Sequence, residues 1–385
     1  SSLLQLRLPL RLLADFRFTY YTFHNGVNHV ISIIKSLDIN RYESVLSIPL
    51  TVRFCGCHEI WDFIKTLSDR IQDEYWTKIS LGSELDEDTI FLIEKLNKYK
   101  RYNDAIEMIA RSLTRISIPT DLIETTITNY LSSTKEKGII YRNKYDLVKI
   151  VLFLDKQEDA NLQTLLSLEF ILYRLIERYG NINETQFVKG LMSDPYKMMD
   201  IIDKIYLSTD ENERKKELEQ TEKHQELWSL CYHILSELRQ VPFVDISNQI
   251  NTDKLNHYIK QLQELGKAKH KIEGVNTVIG ELLGNYPETE DYPPLPICDI
   301  IENQNNTNMI NGFMSRLYNK RGVTVRPALE GGSLEDEESR KYKKYADRIR
   351  YTHPVVCRIF DDISNDYHRM AESEDKRVKI EKMEF

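Results

Sequence analysis

Glycine and proline, the residues that punctuate a chain most strongly, are scarce in this sequence: 14 glycines and 11 prolines among 385 residues. That is roughly half of average usage. With so few sharp turning points, elements must run long, which favours helices over a sandwich or barrel with turn residues roughly every 8–12 positions. Hydrophobic residues at 41% and charged residues at 29% supply a sizeable core and a solvated surface, which excludes disorder throughout. The length accommodates about two or three domains, or one elongated array.

Hydrophobic spacing turns this preference into named elements. Leu92, Leu96 and Tyr99 recur at helical intervals, a polar stretch from Lys100 to Asp104 intervenes, and Ile106, Ile109, Ala110 and Leu113 follow. The pattern predicts a helix pair with Asn103 or Asp104 as the second cap, and with Ala105 and Ala110 allowing close approach, as in tetratricopeptide arrays. No fixed period recurs elsewhere. The expected fold is therefore all-α: an irregular helical-repeat array of tetratricopeptide or HEAT type over residues 1–284, then a small C-terminal helical unit.

Single helices are expected over Leu162–Arg178, over the charged stretch Asp210–Gln240, and from a Thr252 cap onward. Four prolines between Pro287 and Pro296 mark residues 285–296 as a linker. Beyond it, residues 297–385 read as a helix over Cys298–Asn319, a second opened by a Ser333/Asp336 capping box, and a third starting at Pro354.

The formal net charge of −8 opposes general nucleic-acid binding, which requires a concentrated basic surface. Cys55, Cys57, Cys231, Cys298 and Cys357 are too scattered for a disulfide framework, and the cytoplasm is the expected compartment. No run approaches the roughly 18 apolar residues of a membrane span. The opening stretch Leu3–Leu13 is interrupted by Arg7 and Arg11 and reads as structural. It starts inside an apolar element without a methionine, so the chain is expected to be a piece of a longer polypeptide.

Candidate chemistry is sparse. Cys55-Gly56-Cys57-His58-Glu59 lacks the second ligand pair of a structural zinc site, and Asp62 stands where a H-E-x-x-H motif needs its second histidine. His353 and Cys357 are spaced for a base and a nucleophile but lack an orienting acid. Glu330-Gly331-Gly332-Ser333 enters a helix, where a glycine turn can bind anions with help from Arg321 and Arg326; glycine's freedom to fold the loop back as a structural clasp is explanation enough, and an ordered clasp is the expectation. Lys98, Lys100, Arg101 and Arg111 form a local basic patch. No catalytic, cofactor or metal residues are assigned, and Arg321, Arg326, Gly331 and Gly332 stand as an interaction or anion loop. The 22 tyrosines add support for a recognition surface.

Pro293-Pro294, Gly312-Phe313, Asn319, Arg321-Gly322-Val323, Glu330-Gly331-Gly332, Tyr345-Ala346-Asp347, His353-Pro354, Tyr367 and Asp375 together resemble the C-terminal signature of large, mostly uncharacterised bacterial multidomain proteins of the conflict and anti-phage type. Glu74-Tyr75-Trp76 and the Leu235–Pro242 stretch extend the resemblance upstream. Such proteins carry an effector or NTPase module ahead of a long helical region. The resemblance implies a non-catalytic scaffold or sensor that binds a protein partner, other domains of its own polypeptide, or a second copy. It brings no catalytic residues with it. The alternatives are a hydrolase or nuclease using Glu59 and Asp62 or His353 and Cys357, and nucleic-acid binding through the basic patch.

Overall fold

A computed structural model describes residues 58–79, 86–137, 143–322, 327 and 331–381. The Leu3–Leu13 stretch, Cys55, Cys57 and Arg326 lie outside the described residues, as do the side chains of His58 and Glu59. Within them the protein is all-α, its one strand-like feature being an isolated bridge between Val244 and Ile250. No described helix is long and apolar enough to cross a membrane. The chain divides by packing into two compact units, residues 1–186 and 187–385.

The first unit holds α1 (His58–Lys65), α2 (Asp69–Lys78), α3 (Thr89–Lys98), α4 (Tyr102–Ser112), α5 (Thr120–Lys137), α6 (Lys144–Leu154), α7 (Leu162–Ile171) and α8 (Tyr173–Tyr179). The expected pair forms as α3 and α4, and Ala105 and Ala110 are buried. Its turn closes differently from the capping expectation. Lys100 takes φ +57°, the Arg101 amide donates to the Leu96 carbonyl at 2.8 Å, and Asp104 accepts from the Arg101 side chain at 2.7 Å. α3 packs on α4 and α5, α4 on α5 and α6, and α6 on α7 and α8. Each helix thus buries its apolar face against near neighbours in sequence. α6 is the centre of this arrangement: Leu147, Val148, Ile150, Val151 and Leu154 are all buried, each contributing about 1.5–3 kcal/mol. The stretch expected as one helix over 162–178 breaks at Leu172 (φ −95°, ψ 10°) into α7 and α8.

The second unit continues with α9 (Gln186–Ser193), α10 (Pro195–Ile205), α11 (Glu211–Lys223), α12 (Gln225–Glu237), α13 (Thr252–Ala268), α14 (Ile272–Gly284), α15 (Leu295–Gln304), α16 (Thr307–Lys320), α17 (Ser333–Ile349) and α18 (Pro354–Glu381). Two expected single helices are pairs here. His224 (φ −124°) separates α11 from α12, and Asn305, in the left-handed region at φ +43°, separates α15 from α16. Asn306 then caps α16 by accepting from the Met309 amide at 3.1 Å. Asn251 rather than Thr252 caps α13, accepting from the Lys254 amide at 3.1 Å.

Two tight pairings dominate this unit. α14 and α16 cross with their backbones in contact, because Gly280 and Gly312 carry no side chain at the crossing. A Cβ on Gly280 would lie 2.0 Å from the Met309 carbonyl oxygen, and one on Gly312 2.0 Å from that of Thr277. α17 and α18 fold back on one another around an aromatic core, with Tyr342 stacked on Tyr367 at 5.8 Å and Phe360 6.1 Å from Tyr342. The proline-rich segment 285–296 lies inside this unit. Tyr292 is buried with its ring 4.6 Å from that of Tyr345, and Arg348 donates to the carbonyls of Glu290 (3.0 Å) and Tyr292 (3.2 Å). Those contacts tie the segment to α17.

Candidate functional site

Two residues of the expected anion loop, Gly331 and Gly332, meet a carboxylate of the chain itself, Asp375, while Arg321 pairs with a different acid. Gly331 sits at φ +73°, and the Gly332 amide opening α17 donates to Asp375 Oδ1 of α18 at 2.9 Å. A Cβ on Gly331 would meet that same oxygen at 2.4 Å, and one on Gly332 the Ala371 carbonyl oxygen at 2.3 Å. Asp375 therefore supplies the negative charge that the N-terminus of α17 favours. Gly332, not Ser333, occupies the N-cap position, so the capping box expected at Ser333 is replaced by this contact from α18. Arg321 pairs with the buried Glu335 at 2.9 Å and lies 5.2 Å over the Tyr367 ring.

The candidate nucleophile and base do not converge. His353 Nε2 is 2.9 Å from Asp299 Oδ1 and its Nδ1 is 2.9 Å from Thr352 Oγ1. The Cys357 thiol instead faces Asp361 Oδ2 at 3.7 Å, and burial, reinforced by the Asp361 charge, pushes its pKa up. An activated thiolate requires the opposite shift. Asp62 is exposed and pairs with Lys65 at 2.8 Å. In the basic patch, Arg101 donates to the carbonyls of Trp76 (3.2 Å) and Ile79 (2.6 Å), Arg111 pairs with Glu107, and the Lys98 ammonium lies 5.5 Å over the Tyr99 ring. Those guanidinium groups serve the fold. Among the described residues no group of three His, Cys, Asp or Glu side chains gathers as a metal site.

Two concave features stand out among the described residues. In the first unit, a groove of about 320 Å³ runs along α6. Tyr145, Leu152, Phe153 and Tyr179 supply its apolar and aromatic lining, and Lys149 and Lys156 are the charged side chains in it. Tyr145 is 66% exposed and Tyr179 39%. Tyr145, Leu152 and Phe153 lie on the side of α6 opposite its buried Leu147, Ile150, Val151 and Leu154, and Tyr179 reaches the groove from the end of α8.

In the second unit, a cavity of about 140 Å³ lies beside the α14–α16 crossing, lined by Tyr206, Ser236, Glu281, Ser315, Arg316 and Asn319 among others. Gly284 admits the Arg316 stem, since a Cβ there would lie 2.8 Å from Arg316 Cβ, and Gly274 admits the ring of Tyr206, 2.4 Å from its would-be Cβ. Arg316 is buried and caps the C-terminal end of α12, donating from Nη1 to the Ser236 carbonyl (3.0 Å) and from Nη2 to that of Leu235 (3.3 Å). Burial raises the Glu281 pKa, and the Arg316 charge opposes that rise.

Neither Arg316 nor Glu281 stands out in the sequence as a site residue. The signal was present: each is a charged residue in an otherwise apolar helical stripe, Met309-Phe313-Arg316-Leu317 in α16 and Val278-Glu281-Leu282 in α14. Comparison with family models, with curated proteins and with solved structures finds no match to this chain.

Proposed function

We propose that the chain is a helical recognition module, whose first unit docks a peptide segment of a partner protein in the groove along α6. The occupant is a segment with an apolar or aromatic anchor flanked by aspartate or glutamate. The observation that carries the reading is the exposed aromatic lining of that groove, Tyr145 and Tyr179 above all, together with charged lining residues that are both lysines. Aromatic side chains offer large contact area at small entropic cost and concentrate at recognition surfaces, while rim charges select the partner and speed encounter. In this reading the catalytic or effector output belongs to the partner or to another domain, as the resemblance to bacterial conflict proteins implies. A place in anti-phage defence is part of the same proposal.

Selection from a random peptide display library on the full chain tests it. Enriched sequences are expected to share an apolar anchor next to acidic residues and to lose binding to Tyr145→Ala. Enrichment of basic sequences, or enrichment indifferent to Tyr145→Ala, would remove the groove from the reading.

A further inference from the structure

Among the described residues, the cavity beside the α14–α16 crossing offers a ligand one charged side chain within reach. Arg316 lines it, but both its Nη groups are committed to the Ser236 and Leu235 carbonyls at the end of α12, and its Nε is covered by the fold. Glu281 is half-buried in the cavity wall and makes no hydrogen bond or ion pair with any described residue. Burial raises its pKa even with the Arg316 charge acting the other way, so its carboxylate is short of positive charge in the folded chain. The rest of the lining is largely aromatic or neutral oxygen. The ring of Tyr206 is seated on Gly274, and that of Tyr232, 55% exposed, is stacked on Trp228 at 5.4 Å. Burial, with the Glu281 charge nearby, pushes the Tyr206 hydroxyl up to about 12, so it stays neutral. The exposed side chains of Ser315 and Asn319 make no hydrogen bond with any described residue.

An anion would meet the Glu281 charge with no cation to receive it. A neutral apolar molecule would shut the carboxylate away from water without a partner, which is costly. A primary ammonium answers the whole lining: it carries three N–H donors for a carboxylate and neutral oxygens, and the faces of tyrosine rings attract its charge. A quaternary ammonium would use the rings but leave those acceptors unmet. The Arg316 charge stays with the carbonyls at the negative end of α12. We infer that this cavity binds a primary alkylammonium group, with its charge on the Glu281 carboxylate, its remaining donors on the side-chain oxygens of Ser315 and Asn319, and its alkyl chain against Tyr206 and Tyr232. The volume of about 140 Å³ is well below the roughly 300 Å³ at which drug-sized sites start, which limits the enclosed part to a short chain. Such a group comes from a free small amine or from a lysine side chain of a partner.

Isothermal titration of the full chain with n-butylamine, and with lysine blocked at its α-amine and carboxyl, tests the assignment. Butanol, butyrate and tetramethylammonium are the controls for chain, sign of charge and hydrogen bonding. At least one of the two amines is expected to bind. Binding of the blocked lysine assigns the group to a partner's side chain, and binding of butylamine alone assigns it to a free amine; the ammonium site stands in both cases. Glu281→Gln, which keeps the shape and loses the charge, is expected to weaken binding at least about tenfold, the loss of one charge-assisted hydrogen bond. Its ligand-free melting temperature is expected to be unchanged or higher, because burial disfavours the carboxylate charge that the substitution removes. Tyr232→Ala, at an exposed position, is expected to weaken binding roughly two- to fivefold, the loss of one cation–π contact. A control that binds as tightly as the amines, full affinity in either variant, or no heat from either amine up to about 10 mM would each overturn it.

Discussion

At the scale of single residues, the contact between Gly331, Gly332 and Asp375 is decided by a few tenths of an ångström. Gly331 holds a φ of +73° that L side chains disfavour, with Asp375 Oδ1 only 2.4 Å from where its Cβ would be. Gly331→Ala is expected to destabilise the second unit by about 1–3 kcal/mol in urea titration. Asp375→Asn keeps an acceptor but removes the charge from the start of α17, and is expected to cost roughly 0.5–1 kcal/mol, less at high salt. The sequence made the glycine turn legible, because paired glycines before a helix have few other uses. It did not show the source of the charge, since Asp375 is 43 residues away and reads locally as one more acid on a solvated face. Tyrosine is divided between two settings: Tyr75, Tyr130, Tyr173 and Tyr342 are among the largest fully buried side chains, where the ring packs like any other aromatic, while Tyr145 and Tyr179 stand exposed at the α6 groove.

At the scale of elements, helix existence followed from the apolar spacing, while helix continuity did not. The breaks at Leu172, His224 and Asn305 occur where no proline or glycine stands, and a left-handed asparagine or a non-helical histidine is settled by tertiary packing. The α14–α16 crossing makes the complementary point: glycine is a poor helix former, yet Gly280 and Gly312 are where the two helices touch. Gly280→Ala places a methyl 2.0 Å from a backbone oxygen, so the helices must separate. The expected cost is about 3 kcal/mol by thermal unfolding, far outside the gain of about 1 kcal/mol that the same change gives in a free helix.

The end of α16 also carries a titration. Burial lowers the Lys320 pKa to about 8 from the ordinary 10.5, and its ammonium donates to the Tyr286 carbonyl beneath the Tyr292 ring. Between those values the unfolded chain holds a proton that the folded chain has released, so stability rises with pH from about 8 to 10 by up to roughly 1.4 kcal/mol per unit. Above about 10 the slope turns down, because unfolded tyrosines ionise while the buried Tyr292 and Tyr342 keep their protons. Lys320→Met is expected to abolish the rise between pH 8 and 10 and to leave the fall above it, as read by chemical denaturation at fixed pH steps.

At the scale of the whole molecule, scarcity of turn residues correctly announced an all-α chain, but the cluster of prolines did not say how the residues beyond it pack. Prolines interrupt helices; they do not prevent Tyr292 from entering the aromatic core or Arg348 from bonding the segment's carbonyls. Packing instead divides the chain after Gln186, a position with no compositional signal. The α6 groove has no sequence signal for a similar reason, since the apolar run from Leu147 to Leu154 does not distinguish its buried residues from the half-buried Leu152 and Phe153. Tyr145→Ala is expected to change the stability of the first unit by less than about 0.5 kcal/mol, because the ring is 66% exposed. The same substitution should abolish partner binding.

The most direct measurement is a charge-exchange cycle at the groove: Kd for a selected acidic peptide and for its charge-reversed counterpart, each with the wild-type chain and with Lys156→Glu. The recognition account expects Lys156→Glu to weaken the acidic peptide and to tighten the reversed one, with a coupling of about 1 kcal/mol that shrinks as salt rises. Equal affinities for both peptides in both proteins, or a coupling of zero at low salt, would contradict it.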